Sequence, residues 1–273
     1  MNIQLKSQAF KNINSPLSLN LNAENHWAPP KNKNDYCILT DNNCFNDSLI
    51  NSISCKKIAW LVEPPIINGE NYVKMKNFQH KKFDYVLGSI THHHYTNIPN
   101  YKYFAHGGTV HREEDIKIWE KSKLLSMIFS KKKWNNGHRH RHHIYNTIKK
   151  SHDFDAFGCG VGNRIKYKIG GLKNYMFSIA MENCMEGDYF TEKIIDCFLT
   201  GTIPIYYGTR NIKNYFNMNG ILWFRGTDDI NKILNRINKE LYLEKLDAIK
   251  ENFQIAQDYI RTGERLKKLI NDL

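Results

Sequence analysis

Between residues 182 and 193 the chain reads Glu-Asn-Cys-Met-Glu-Gly-Asp-Tyr-Phe-Thr-Glu-Lys, which gathers carboxylates, an amide, a phenol, a hydroxyl and an ammonium in one short stretch. The apolar run before it, Met176 to Met181, reads as a buried strand. Glu182 and Asn183 therefore fall at its carboxyl edge, where parallel sheets open onto ligand crevices. A helix is expected from Thr191 to Leu199, since Ile194, Ile195, Phe198 and Leu199 share one face and Gly201 follows as a stop. Its first turn would present free N–H groups beside Lys193, an arrangement suited to a diphosphate. A lone Thr-Glu-Lys is more often a solvated first turn. The spacing to Asn183 and Tyr189, and the strand Ile203-Pro204-Ile205-Tyr206-Tyr207 followed by Gly208, argue for a ligand here. Pro204 implies that this strand is not fully paired at its start.

Further chemistry lies upstream. Arg141-His142-His143-Ile144-Tyr145 opens a helix expected over about 138 to 150, after a strand at Leu124 to Phe129. A guanidinium fork fits phosphate oxygens bidentately, so Arg141 is the candidate second diphosphate ligand, with Arg139 the alternative in a shifted reading. Lys131, Lys132 and Lys133 nearby can equally form a solvated positive face. Glu63 ends the apolar run Ile58 to Val62, where a carboxylate can take the proton of an attacking hydroxyl. Glu70 is the alternative base, expected in a polar loop with no strand to hold it. His92 to His94 and the run His138 to His143 invite a zinc reading. Adjacent imidazoles on extended chain point to opposite faces, and no Cys pair or H-E-x-x-H accompanies them, so loop and phosphate-proximal roles are expected in place of a metal site. His106-Gly107-Gly108 reads as an acceptor-side loop or a simple turn.

The elements that must hold these groups are strands at Ile58 to Val62, Phe83 to Gly88, Tyr101 to Phe104, Leu124 to Phe129, Phe154 to Phe157, Met176 to Met181 and Ile203 to Tyr206, with helices between the later ones. Such alternation predicts parallel α/β layers. The charged segment 111–123 has no strand pattern and marks a boundary, giving an N-terminal α/β domain at 1–118 and a C-terminal α/β domain at 119–273. The first 35 or so residues, with Trp27, Pro29 and Pro30, read as a loose arm or short edge element. The last 45 or so are helical, with Ile230, Ile233, Leu234 and Ile237, then Leu246, Ile249, Phe253, Ala256 and Ile260 at spacings of three and four. Thr227 with Asp228 and Asp229 is a credible helix start.

With 273 residues and 41% apolar side chains, the chain can bury one large core or two ordinary ones. No apolar run approaches the roughly 18 to 20 residues that span a bilayer, and no signal peptide is evident, so a cytoplasmic chain is expected. Its 6 cysteines form no C-x-x-C pair and are expected to be reduced thiols. The net charge of +12 attracts phosphates, nucleic acid or anionic membrane surfaces, and leaves peripheral membrane contact through a basic surface open. Nucleic-acid binding is the competing class, but the charges are dispersed and no finger, RRM signature or basic heptad helix is present. Salt-sensitive DNA binding unprotected by GDP would favour it.

The string Glu182-Asn183, then Tyr189-Phe190-Thr191-Glu192-Lys193-Ile194-Ile195-Asp196-Cys197-Phe198-Leu199-Thr200-Gly201-Thr202-Ile203-Pro204-Ile205-Tyr206-Tyr207-Gly208, resembles the donor-binding signature of the α-1,3-fucosyltransferases, glycosyltransferase family 10. Close similarity spans residues 175 to 209, and a looser one about 58 to 225. The resemblance implies two facing Rossmann-like domains of the GT-B type with C-terminal helices, and GDP-fucose as donor substrate. It implies that Asn183, Tyr189, Glu192 and Lys193 contact the donor, Glu192 at the ribose and Lys193 at the diphosphate, that Glu182 lies beside them, that Arg141 takes phosphate and that Glu63 is the base. Many members carry Asn after that Glu, whereas this chain has Pro64-Pro65. The reaction implied is a single inverting displacement onto a glycan hydroxyl, with galactose- or N-acetylglucosamine-containing acceptors suiting the family, no obligatory metal, and divalent ions stimulatory at most. A related transferase using another nucleotide sugar is the alternative.

Overall fold

The computed structural model describes residues 3–6, 31–91, 97–105 and 107–273; Trp27, Pro29, Pro30, His92 to His94 and His106 lie outside the described residues. The first half contains β1 (Ile3–Lys6), β2 (Tyr36–Thr40), α1 (Asp47–Asn51), β3 (Lys56–Leu61), α2 (Pro65–Asn77), β4 (Tyr85–Gly88) and β5 (Tyr101–Tyr103). The five strands pair in parallel in sequence order, with β1 at the edge. Ile58, Ala59, Trp60 and Leu61 are all buried, as a strand covered on both faces requires. β2 is an element that the sequence pattern did not reveal. A second difference concerns Pro64-Pro65: they open α2 rather than a loop, because Pro65 sits in the first turn, where its missing N–H would have no helical partner anyway.

The second half runs β6 (Lys123–Ile128), α3 (Asn136–Ile148), β7 (Asp155–Phe157), β8 (Tyr175–Met181), α4 (Glu192–Phe198), β9 (Ile203–Tyr207), β10 (Leu222–Trp223), α5 (Thr227–Leu234), α6 (Lys239–Glu244), α7 (Leu246–Gln257) and α8 (Thr262–Asn271). Its strands form a separate parallel sheet in the order β10-β9-β8-β6-β7. β8 is buried throughout and lies between β6 and β9, so its carboxyl end faces the middle of the sheet's open edge. Pro204 is in register with Ser178 of β8, and the pairing of β9 with β10 begins only at Ile205, which spares the missing N–H. Gly201 closes α4 at φ 72°, a left-handed conformation, and a Cβ there would meet Ile118 at 2.7 Å. α5 is capped differently from the expectation: Gly226 is the N-cap, and Asp229 takes the N–H of Arg225 at 3.1 Å.

The apolar faces of α4, α5 and α7 cover the second sheet, whereas α8 returns to the first. Leu266 and Ile270 pack there with Ile3, Ile38, Ile58 and Trp60. Among the described residues no helix is long and apolar enough to cross a membrane, and all six thiols are free. Since Leu266 is fully buried in the first sheet's cover, Leu266→Ala should lower stability by about 2–5 kcal/mol. Urea unfolding checks this; a loss below about 1 kcal/mol would mean that α8 docks without contributing.

Candidate active site

A cleft of about 450 Å³ opens at the carboxyl ends of β6, β7 and β8. Phe129, Ser130 and Lys132 follow β6, Gly158 and Cys159 follow β7, Ile179 to Met181 and Asn183 come from β8 and its exit, and His138 and Arg141 stand on α3. Glu192 and Lys193 open α4, and Val110 and Lys168 close the remaining side. Four side chains that carry positive charge, Lys132, Arg141, Lys168 and Lys193, thus line one cavity with an apolar floor. Such a site favours an anion with an uncharged portion.

Glu182 organises its centre. The side chain is fully buried and spends both oxygens inside the fold: Oε1 accepts from Thr191 N at 2.9 Å and Oε2 from Thr191 Oγ1 at 2.8 Å. Thr191 in turn caps α4, its hydroxyl accepting from Lys193 N at 3.4 Å and from Lys193 Nζ at 2.9 Å. Lys193 Nζ also lies 3.3 Å from Glu182 Oε2 and 3.3 Å from Glu192 Oε1. Burial alone would lower its pKa, but the two carboxylates hold the ammonium above its ordinary value.

Arg141 is held from below. It is buried, and its Nη2 donates to Met181 O at 2.7 Å and to Asn183 Oδ1 at 3.2 Å. Burial lowers its pKa, opposed by Glu182 and Glu192. Contact with the β8 exit is close because Gly137 precedes it: a Cβ at that position would stand 1.9 Å from Asn183 O. Lys168 is held by Asp196, fully buried on α4, at 2.7 Å; the same carboxylate accepts from Thr109 Oγ1 at 2.5 Å and Val110 N at 3.3 Å. One buried acid therefore fastens a cleft cation to the segment crossing from the first sheet.

Glu63 stands just past β3 and does not itself line the cleft. Burial raises its pKa, opposed by Lys193 and Lys132 and reinforced by Glu192, so it lies within the field of the cleft. Its backbone is fixed by Asp41, whose Oδ1 accepts from Val62 N at 3.1 Å and Glu63 N at 3.3 Å. Asp41 adopts φ 44°, the single left-handed non-glycine conformation among the described residues.

Arg141, Asn183, Glu192 and Lys193 are thus brought together, with Glu63 within the field of Lys193 and Glu192. Four other sequence candidates are not. Glu182 supports the site from beneath and does not line it. Tyr189 does not line the cleft, and its ring packs in the first sheet's core with Cys184 and Tyr72, although the phenol lies within the field of Glu63, Glu182, Glu192 and Arg141. Glu70 rides on α2 instead of a loop, its side chain 87% exposed and paired with Lys74, one turn along the same helix. Arg139 faces outward, donating to Lys133 O and Asn136 Oδ1. Sequence reasoning did not single out Lys168, Asp196 or Asp41, and it named His138 only as part of its histidine run. The neighbourhood of Lys168 is merely rich in lysine, and Asp196 lies within the motif as an unremarked helix residue.

Burial, opposed by the backbone N–H groups of Glu63 and Val62 and reinforced by the Glu63 carboxylate, pushes the Asp41 pKa from 3.8 to about 7. A carboxyl that holds its proton more tightly when folded stabilises the fold below about 4, and that contribution is lost as pH rises to about 7. Relative to Asp41→Asn, the unmodified chain should therefore lose stability across that window and level off above it. Paired denaturation curves at several pH values check this, and a constant difference would refute it.

A sequence profile described as Glycosyltransferase family 10 (fucosyltransferase) C-term matches residues 118–260. The mouse 4-galactosyl-N-acetylglucosaminide 3-alpha-L-fucosyltransferase 9 is 30% identical over 137 residues, covering 47% of this chain and 37% of that protein. The Helicobacter pylori alpha-(1,3)-fucosyltransferase FucT is 33% identical over 95 residues, covering 34% of this chain and 20% of that protein. The matched region thus spans well under half of these relatives. An α1,3-fucosyltransferase crystallised with GDP-fucose superposes with TM-score 0.52 at 19% identity, over 80% of this chain and 70% of that one. One crystallised with GDP gives TM-score 0.55 at 17% identity, over 91% and 82%. At these identities the superpositions speak for the fold, the two-sheet GT-B arrangement. With more than half of its length matched by the family's profile, the chain belongs to glycosyltransferase family 10, the fucosyltransferases.

Proposed function

We propose that the chain is an inverting transferase that moves fucose from GDP-fucose to a hydroxyl of a glycan acceptor. The observation that carries this reading is the convergence of Arg141 and Lys193, each held by buried partners, in a cleft whose field reaches Glu63 just past β3. Residues 119–273 would hold the nucleotide sugar and residues 1–118 the acceptor. That a related fold was crystallised with GDP-fucose supports the donor. A galactose- or N-acetylglucosamine-containing acceptor agrees with the name of the mouse relative.

In this account Glu192 holds the ribose and Asn183 orients Arg141. Inversion of β-linked GDP-fucose to an α-fucoside needs one base and no enzyme nucleophile. Glu63 takes the proton of the acceptor hydroxyl as that oxygen attacks the anomeric carbon, and the bond to the diphosphate breaks. Charge accumulating on the departing GDP is met by Lys193 and Arg141, already oriented before the reaction starts, so little reorganisation is required. Another nucleotide sugar is the second reading; comparing GDP-fucose, GDP-mannose and UDP-sugars in thermal-shift assays separates the two.

Lys193→Ala and Arg141→Ala should each weaken binding of GDP itself by about 1.5–3 kcal/mol, roughly ten- to a hundredfold. If both variants bind GDP as the parent does, the diphosphate lies elsewhere. Glu63→Gln keeps the shape and removes the base, so turnover should fall by about 10² to 10⁴ with donor affinity nearly unchanged; full activity would refute the role. Because burial raises the Glu63 pKa, kcat/KM should rise with pH through a limb above the ordinary glutamate range, where the base form appears. A limb at or below that range would contradict the assignment.

A further inference from the structure

His138 stands in the second turn-half of α3's amino end, where Asn135 Oδ1 accepts from its backbone N–H at 2.8 Å. The residue is 6% exposed and lines the cleft. Its Nδ1 is buried and has no hydrogen-bond partner among the described residues. A polar atom left this way carries a desolvation cost unless something else satisfies it. His140 and His142 on the same helix also hold an unmatched ring nitrogen, but they lean on Tyr207 and Phe129 and neither lines the cleft. Of the three, His138 alone lines the cavity.

The surroundings indicate what would satisfy it. Burial first, then Arg141 and His142 on its own helix, Lys132 on the loop after β6 and Lys193 on α4, push its pKa down to about 4. The ring is therefore uncharged at neutral pH and holds one N–H and one lone pair. None of these cations donates to Nδ1, and an anionic oxygen would rest among them. The Trp134 ring sits edge-on against the imidazole at 6.3 Å.

We propose that His138 is a further donor-contacting residue of this chain, its ring N–H given to an oxygen of the diphosphate between Arg141 and Lys193. The assignment rests on the nucleotide-sugar reading of the cleft. An uncharged donor completes the anion's hydrogen bonds without adding another positive charge to an already crowded set, and it ties the first turn of α3 to the leaving group.

Calorimetric titration of the full chain with GDP and with guanosine tests this, using the unmodified chain, His138→Ala, His138→Gln and, as reference, Arg141→Ala. His138→Ala should bind GDP about tenfold more weakly, while guanosine affinity stays as in the parent. His138→Gln, which retains an N–H donor, should recover part of the loss, and its thermal midpoint guards against a folding defect. His138→Ala binding GDP like the parent while Arg141→Ala is weakened would overturn the inference and leave the donor reading intact. Equal losses for GDP and guanosine would overturn it too, by showing a packing role. A parent chain that binds no GDP overturns the donor reading and the phosphate contact with it.

Discussion

A carboxylate taken out of water must be met by donors within the fold, and Glu182 at the end of β8 is fully buried. Its two oxygens are met by the backbone N–H and hydroxyl of Thr191, with the Lys193 ammonium at 3.3 Å. From these contacts the rest of the site follows. They bend the chain leaving the central strand back onto its own sheet edge, set Thr191 as the cap of α4, and hold Lys193 at the cleft rather than in solvent. Removing the carboxylate would leave the part-buried Lys193 ammonium with only Glu192 and the Thr191 hydroxyl as partners. Glu182 is therefore a positioning residue whose effect is felt at the cleft surface through Lys193.

The same economy joins the two sheets. The loop between β8 and α4 packs Cys184 and Tyr189 into the first sheet's core, while Asp188 accepts from Thr91 and, through its carbonyl, from the Tyr103 hydroxyl at 3.1 Å. Asp196 ties the crossing segment at Thr109 and Val110 to Lys168, and α8 closes over the first sheet. Glu63 thereby comes within the field of the cleft cations Lys132 and Lys193, which belong to the other sheet's half of the chain. Asp41 sets the backbone from which it projects.

Much of this was legible in the sequence because parallel strands buried on both faces read as unbroken apolar runs. Strands β3, β8 and β9 announce themselves in that way, and α4 by the spacing of its apolar residues. β2 did not, since Tyr36–Thr40 is short and bounded by Asn and Asp. α2 was masked by Pro64-Pro65, which punctuate a loop in sequence but start a helix in space, and this moved Glu70 from a loop onto an exposed helical face. In the site, Arg141, Asn183, Glu192 and Lys193 follow from local spacing. Tyr189 could not be placed, because the surface that buries its ring comes from the other sheet. Lys168 is singled out among neighbouring lysines only by Asp196, 28 positions on. His138 differs from the other histidines of its run only by which way the helix turns it.

The central claim is that a diphosphate rests among Arg141, Lys193 and their buried supports. Phosphorus NMR of GDP observes that group directly. On adding stoichiometric chain in the presence of a chelator, both phosphorus resonances should shift or broaden, and a Lys193→Ala, Arg141→Ala double variant should leave them near their free positions. Unchanged phosphorus resonances alongside broadened guanine protons would place the nucleotide's base in the chain and its phosphates in water, contradicting the account.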